Sequence, residues 1–353
     1  MYQEETEDAI ALLQQLIAIS SISKEEKDVA DFLERFIEIK GYVVSRKENN
    51  LWILSPGFDS SRPTILLNSH IDTVKPAAAG WSRNPLSPAI ESGKLYGLGS
   101  NDAGASVVSL LYVFFHLTQK QQDYNLIFSA SSEEEISGEN GIALLLKELP
   151  KIDFAIVGEP TGMNLAVAEK GLMVLDCTVY GKSGHAARNE GDNAIYKALQ
   201  EIDWFRNYQF NKNSKLLGAV KMTVTQINAG TQHNVVPDKC TFVVDVRSNE
   251  MYSNQEILAE IRNAVNCEVQ PRSTRLSSSA TPLEHSIVKR GLELQRTFYG
   301  SPTLSDQALM PFPSLKIGPG ESARSHSADE YVLLDEIAEG ITTYIQLLDG
   351  LEL

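Results

Sequence analysis

Apolar residues recur at helical spacing over Thr6–Ile19, and Lys24–Lys40 continues in the same period. Short strands are predicted at Tyr42–Val44 and Leu51–Leu54. Pro63–Ser69 is instead a continuous apolar run between turn residues, the mark of a strand buried on both faces. Ala103–Leu117 predicts an apolar helix, Tyr124–Ala130 a second buried strand, Gly141–Leu149 a helix and Asp153–Val157 a third strand. Strands alternating with helices predict a mostly parallel α/β sheet.

The pattern changes near Gly171. Leu172–Tyr180, Gly218–Ile227, Lys239–Arg247 and Cys267–Arg272 predict strands, with helices at Asp192–Tyr208 and Asn254–Val265. That order is β-α-β-β-α-β, the split ferredoxin-like unit. Ser273–Pro282 reads as a linker, after which the α/β style resumes: a helix over Glu284–Phe298, a strand over Ser314–Ile317 and a helix over Leu333–Leu348. The chain thus reads as an α/β domain (1–170 and 281–353) interrupted by an inserted α+β domain (171–280). It carries no internal repeat and no low-complexity tract.

Composition narrows the function classes. Hydrophobic residues make up 42% of the chain and charged residues 22%, ordinary globular usage. Leu110–Phe115 typifies its longest apolar stretches, far short of the ~18 residues a membrane span needs. The acidic start, MYQEETEDAI, is not expected to be a signal peptide. Cys177, Cys240 and Cys267 are odd in number and widely spaced, which excludes a disulfide framework or thiolate zinc finger and fits a reducing cytoplasm. A net charge of −15 opposes nucleic-acid binding.

Metal-type ligands fall just past strands or at a helix entry. Pro63–Ser69 leads into His70 and Asp72, GLGSND puts Asp102 at a helix start, SSEEE supplies Glu133–Glu135, GEPT carries Glu159, and His326 follows a Gly/Pro loop. Loops at the carboxyl ends of strands in an open α/β sheet converge on one site. Two imidazoles and several carboxylates, without thiolate, suit catalytic zinc, and one Asp can bridge two metals. Each piece alone is commonplace; the combination carries the inference.

The segments SHIDTV, YGLGSNDAGA, EEEISG, VGEPT, GKSGHAAR, NVVPDKCTFVVDVR and GPGESARSHSADEY resemble the zinc aminoacylase/carboxypeptidase family, in family order from about residue 69 to 331. That family holds acetylornithine deacetylase, succinyl-diaminopimelate desuccinylase, aminoacylase and carnosine-type dipeptidases. The resemblance implies a catalytic domain of zinc-exopeptidase type with two zinc ions per subunit, cobalt or manganese being the alternatives. It also implies an inserted ferredoxin-like lid that often forms a homodimer. By it, His70, Asp102 and Glu159 hold one zinc, Asp102 bridges, and Glu135 and His326 hold the second. Asp72 orients His70, and Glu134 is the general base. The family usually reads Asp-Glu-Glu where this chain has three glutamates, so Glu133/Glu134 is the alternative register. His185 resembles the lid histidine that supplies a donor to the oxyanion, and Asn234 and Arg247 the residues that hold the substrate carboxylate. Gly318, Pro319 and Gly320 would shape the substrate loop. Ala103 and Gly104 follow Asp102 where the family often has a lysine.

Of the remaining histidines, His116 reads as a core imidazole, His285 as structural and His233 as a lid neighbour of Asn234. The function expected is a cytoplasmic N-acyl-amino-acid deacylase acting on N-acetyl-ornithine or a related N-acyl-ornithine or citrulline in arginine biosynthesis. The alternative is a succinyl-diaminopimelate desuccinylase or dipeptidase, with a non-catalytic binding protein behind both. No GxxxxGK[ST], strand-linked GxGxxG or GxSxG motif supports a nucleotide enzyme or a serine hydrolase.

Overall fold

The structure, a computed structural model, describes residues 2–77 and 79–353. The chain divides into two compact units. One runs to Val167 and adds Ala280–Tyr299 and Ser305–Leu353; the other comprises Ala168–Ser279 and Gly300–Leu304.

In the first unit the uninterrupted apolar runs become the middle of a sheet. Thr64–His70 is buried at every position and lies between two parallel neighbours, Asn125–Ser131 and Phe154–Val157. Ser314–Lys316 adds in parallel to Phe154–Val157, and Asn50–Leu54 pairs antiparallel on the other side. A strand with helices on its faces has no polar side, which is why these segments read as apolar runs rather than alternations. Ala105–Leu117 is likewise buried over almost its whole surface, whereas Gln3–Ile17 buries one stripe, Ala9, Leu12, Leu13, Leu16 and Ile17.

Three expectations change. Tyr42–Val44 is not a strand: the Tyr42 ring packs on Phe114 and Phe115 at 5.5 and 4.9 Å between centroids, and pairing starts at Ser45–Lys47. The helix expected over Gly141–Leu149 is regular only at Ile142–Leu145, ahead of Pro150, which disfavours helical geometry in the residue before it. The helix expected to Phe298 ends at Glu293, and Gln295 turns left-handed (φ 62°). Leu165–Glu169, where no element is predicted, is a fully buried strand. A small antiparallel sheet of Ala89–Glu91, Lys94–Tyr96 and Tyr331–Leu333 was not expected either.

The second unit is a four-stranded antiparallel sheet in the order Lys221–Ala229, Lys239–Ser248, Gly171–Tyr180, Glu268–Pro271. Alternate residues Met173, Leu175, Cys177 and Val179, with Cys240, Phe242, Val244 and Val246, face a core that includes Ala198, Phe205, Ile257 and Ile261 from helices Ala194–Asn207 and Asn254–Ala264. Asn193 caps the first helix, and Ser253 with Glu256 forms a capping box on the second. A mostly parallel α/β unit interrupted by a ferredoxin-like α+β unit is the fold class that the hydrophobic pattern predicts.

Candidate metal centre

Strand register brings the acidic loops level with His70. On the central strand His70 pairs with Ser131 and Asn68 with Val157. The chain leaving the two neighbouring strands therefore delivers Glu134, Glu135 and Glu159 beside the imidazole. His70 Nε2 lies 3.2 Å from Asp102 Oδ1 and 3.8 Å from Glu159 Oε1. His326 Nε2 lies 3.0 Å from Glu135 Oε2 and 3.7 Å from Asp102 Oδ2. Asp102 thus turns one oxygen to each histidine. Two donor groups share His70: with Asp102 and Glu135, and with Glu134 and Glu159; the donor atoms of each lie within 4.8 Å of one another.

His70 Nδ1 faces the carbonyl oxygen of Asp72 at 3.0 Å. A carbonyl only accepts, so Nδ1 carries the proton and Nε2 is aimed at the carboxylates. Facing two carboxylate oxygens, that nitrogen is either protonated or gives its lone pair to a cation. Burial opposes charge on His70, yet Asp102 and Asp72, with Glu134 and Glu159, hold its pKa well above the ordinary value. The hydrogen bond to Glu135 lifts His326 to about 9. Among the acids, burial, reinforced by Glu159, Asp306 and Glu135, pushes Glu134 well up, and burial takes Glu159 to about 8. So many buried carboxylates cannot all be charged without cations among them. The oxygen and imidazole donors fit divalent metal on these grounds.

Asp72 also supports the acidic loop. Its two oxygens accept the backbone N–H groups of Glu134 and Glu135 at 3.0 and 3.1 Å, and the Ser23 hydroxyl at 2.7 Å. Glu133 points elsewhere. Its carboxylate accepts from the Asn140 amide side chain and backbone at 3.0 and 3.2 Å, and its own N–H donates to the buried Glu26. Gly320 (φ 89°) and Gly318 let the last loop approach closely: a Cβ would meet Asn101 Oδ1 at 2.4 Å in one case and Glu159 O at 2.5 Å in the other.

The structure places the other candidates in the second unit. His185 sits exposed on the two-residue strand Gly184–His185, paired with Val235–Val236. The Ala187 N–H donates to its Nδ1 at 3.1 Å. Asn234, next to that pairing, accepts the Ala186 N–H through its backbone oxygen at 3.0 Å. Arg247 makes a two-pronged pair with Asp245 on its own strand, at 2.8 and 3.1 Å. His233 is exposed. His116 is not a core imidazole: it is a quarter exposed and meets Glu5 at 3.2 Å. His285 stacks on Phe154.

Three buried acids escape sequence reasoning. Glu26 accepts the N–H of Glu133 at 3.2 Å. Asp306 accepts from Asn68 and Ser131 at 2.8 and 2.7 Å, beneath His70, and burial raises its pKa to about 6. Glu330 accepts from the segment that carries Asp102. Only Glu330 had a signal, its place four residues past His326 in the quoted motif.

The model of peptidase family M20/M25/M40 matches residues 66–350. The chain is 28% identical to a Mycobacterium tuberculosis protein provisionally named succinyl-diaminopimelate desuccinylase DapE, over 97% of this chain and 98% of that one. It is 26% identical to a [LysW]-lysine/[LysW]-ornithine hydrolase of Sulfurisphaera tokodaii, over 96% and 94%. Aminopeptidase PepT of Bacillus cereus shares the fold, with a TM-score of 0.79 at 18% identity over 98% of each chain.

Proposed function

The chain belongs to peptidase family M20/M25/M40, and from that premise we propose a two-zinc desuccinylase acting on N-succinyl-diaminopimelate or a close N-succinyl diamino acid. The chain is a metal-dependent hydrolase of amide bonds. The desuccinylase among the relatives supports a succinyl substrate better than the N-acetyl-ornithine and arginine-biosynthesis expectation. The observation that carries the metal reading is Asp102, with one oxygen toward each histidine.

In this reading the first unit is catalytic and the second is its lid. His70, Asp102 and Glu159 hold one ion; Asp102, Glu135 and His326 hold the other. A metal pair held there would supply Lewis acidity, which lowers the pKa of water toward ~7 and polarises a scissile carbonyl. Glu134 takes a proton from the attacking water and passes it to the departing amine as the carbon–nitrogen bond breaks. Its buried setting, which favours the protonated form, supports that role; cations beside it draw the value back down. Asp72 orients His70 and the acidic loop. A backbone N–H on Nδ1 of neutral His185 leaves Nε2–H as a donor, which is what an oxyanion needs. Asn234 and Arg247 hold a substrate carboxylate, for which a guanidinium fork is suited.

We further propose a homodimer through the second unit. Lys221–Ala229 is an edge strand of its sheet, and Tyr196, Leu199 and Ile227 are more than half exposed (69, 54 and 55%). The partners otherwise are small N-acyl amino acids: the chain is acidic, and among the described residues no helix is long and apolar enough to cross a membrane.

Amine release from N-succinyl-diaminopimelate, N-acetyl-ornithine, N-acetyl-citrulline and a plain dipeptide, with metal-stripped and zinc-restored protein, tests the reading. Zinc-restored turnover of the succinyl substrate above the rest is expected. Preference for N-acetyl-ornithine would return the first expectation to its place.

A further inference from the structure

Glu330 is only 3% exposed, and its carboxylate is given entirely to backbone. Oε2 accepts the Gly99 N–H at 3.0 Å; Oε1 accepts those of Asn101 and Asp102 at 2.8 and 2.9 Å. Its own carbonyl accepts the Gly97 N–H at 3.0 Å. Residues 97–102 belong to neither strand nor regular α-helix, so these amides have no ladder to satisfy them.

The small antiparallel sheet fixes where Glu330 emerges. Tyr331 pairs with Tyr96, which sets Glu330 against the start of the Asp102 segment. The same stretch carries His326 four residues earlier. A second clasp joins the two segments: the Glu321 N–H donates to Asn101 Oδ1 at 2.9 Å, and Asn101 Nδ2 donates to the Glu321 carbonyl at 3.1 Å.

We infer that Glu330 is a positioning residue for the bridging carboxylate. By holding the Asp102 backbone, it keeps the two oxygens of Asp102 turned to His70 and His326, and it ties the bridging segment to the segment of the second histidine. This rests on the proposed two-metal reading of the site. A scaffold role alone would affect unfolding and leave metal binding alone.

The test compares wild type, Glu330→Gln and Glu330→Ala by zinc stoichiometry, chelator competition, the visible spectrum of the cobalt-loaded protein, and thermal unfolding. Wild type must first take up two zinc ions; failure there sinks the two-metal reading, whatever the variants do. Given that, Glu330→Ala is expected to bind zinc about 10–100-fold more weakly, the scale seen when groups behind metal ligands are removed. Its cobalt spectrum should change, and kcat should fall while KM at saturating zinc stays within about twofold. Glu330→Gln keeps one acceptor oxygen but sets an NH₂ against the Gly99 N–H, so its loss should be intermediate. Wild-type zinc affinity and cobalt spectrum in Glu330→Gln would overturn the inference, even with a lowered Tm. If Glu330→Ala does not fold, the near-isosteric glutamine variant decides alone.

Discussion

The two units hold their charged groups in opposite ways. In the first, buried His70 and the half-buried Asp102, Glu134, Glu135 and Glu159 crowd together with His326 exposed at their edge, and acids behind them accept backbone N–H groups that lock the loops. In the second, His185 is exposed on a two-residue pairing with Asn234 exposed beside it, and Arg247 is held by an acid two residues away on its own strand. Burying like charges is costly unless cations share the space. The first unit therefore carries a geometry that is favourable only when loaded. The second carries side chains that cost little to expose and can adapt to what they meet. Metal binding and proton transfer are assigned to the locked set, oxyanion donation and substrate recognition to the exposed one, and that division can be broken by experiment.

The largest effect is expected at Glu134. Glu134→Gln should lower kcat about 10²–10⁴-fold, the usual span for a positioned acid or base. Zinc stoichiometry should hold, because the amide keeps the shape and Asp72 still anchors the loop. If zinc leaves with activity, Glu134 is a ligand, and base and ligand are not separated as proposed.

His185→Ala comes next. Loss of one oxyanion donor costs about 10²–10³-fold in kcat. Because the residue is exposed, Tm should barely move. A large fall in Tm would mean that the second unit also depends on its functional side chains for stability, and the contrast would weaken.

Metal removal separates the units thermodynamically. Free zinc at a hundred times its Kd stabilises a binding unit by about 2.7 kcal/mol. Chelation should therefore speed amide exchange in Thr64–His70 and Asn125–Ser131 and leave Lys239–Ser248 unchanged. Equal loss in both units would show that the second is stabilised by the metal as well.

The contrast was partly legible beforehand. Central strands announce themselves as apolar runs, and their carboxyl ends point to His70, Glu134, Glu135 and Glu159 because parallel strands end on one side. Leu165–Glu169 escaped because LAVAEKGLMV runs on into the next strand with little turn signal. The three-residue strands that place Glu330 are too short for periodicity and pair across more than 200 positions. The register within Glu133–Glu135 was favoured only by family position, with Glu133/Glu134 as the alternative, for a related reason. It depends on Asn140 and Glu26 capturing Glu133, and a run of like residues does not encode that. Local patterns reveal donors; acids that only accept backbone N–H groups look like any other acid until the fold brings their partners.

The smallest effect is the sharpest test, because its sign discriminates. Arg247→Ala should raise KM for a carboxylate substrate by an amount equivalent to about 1.5–3 kcal/mol, the worth of a hydrogen bond to a charged group. Asp245 binds the guanidinium through both oxygens, yet both side chains are about a third exposed, so the pair adds only about 0–1 kcal/mol to stability. If the second unit is loose, Asp245 chiefly offsets the positive charge and competes with the substrate for the fork. Asp245→Asn should then lower KM a few-fold, roughly 0.5–1 kcal/mol on the scale of exposed pairs, with kcat and zinc content unchanged. If Asp245 instead presents the fork in a fixed direction, as Asp72 does for His70, KM should rise in Asp245→Asn nearly as far as in Arg247→Ala. That rise would make the second unit as organised as the first, and the contrast between a locked set and an adaptable one would not stand.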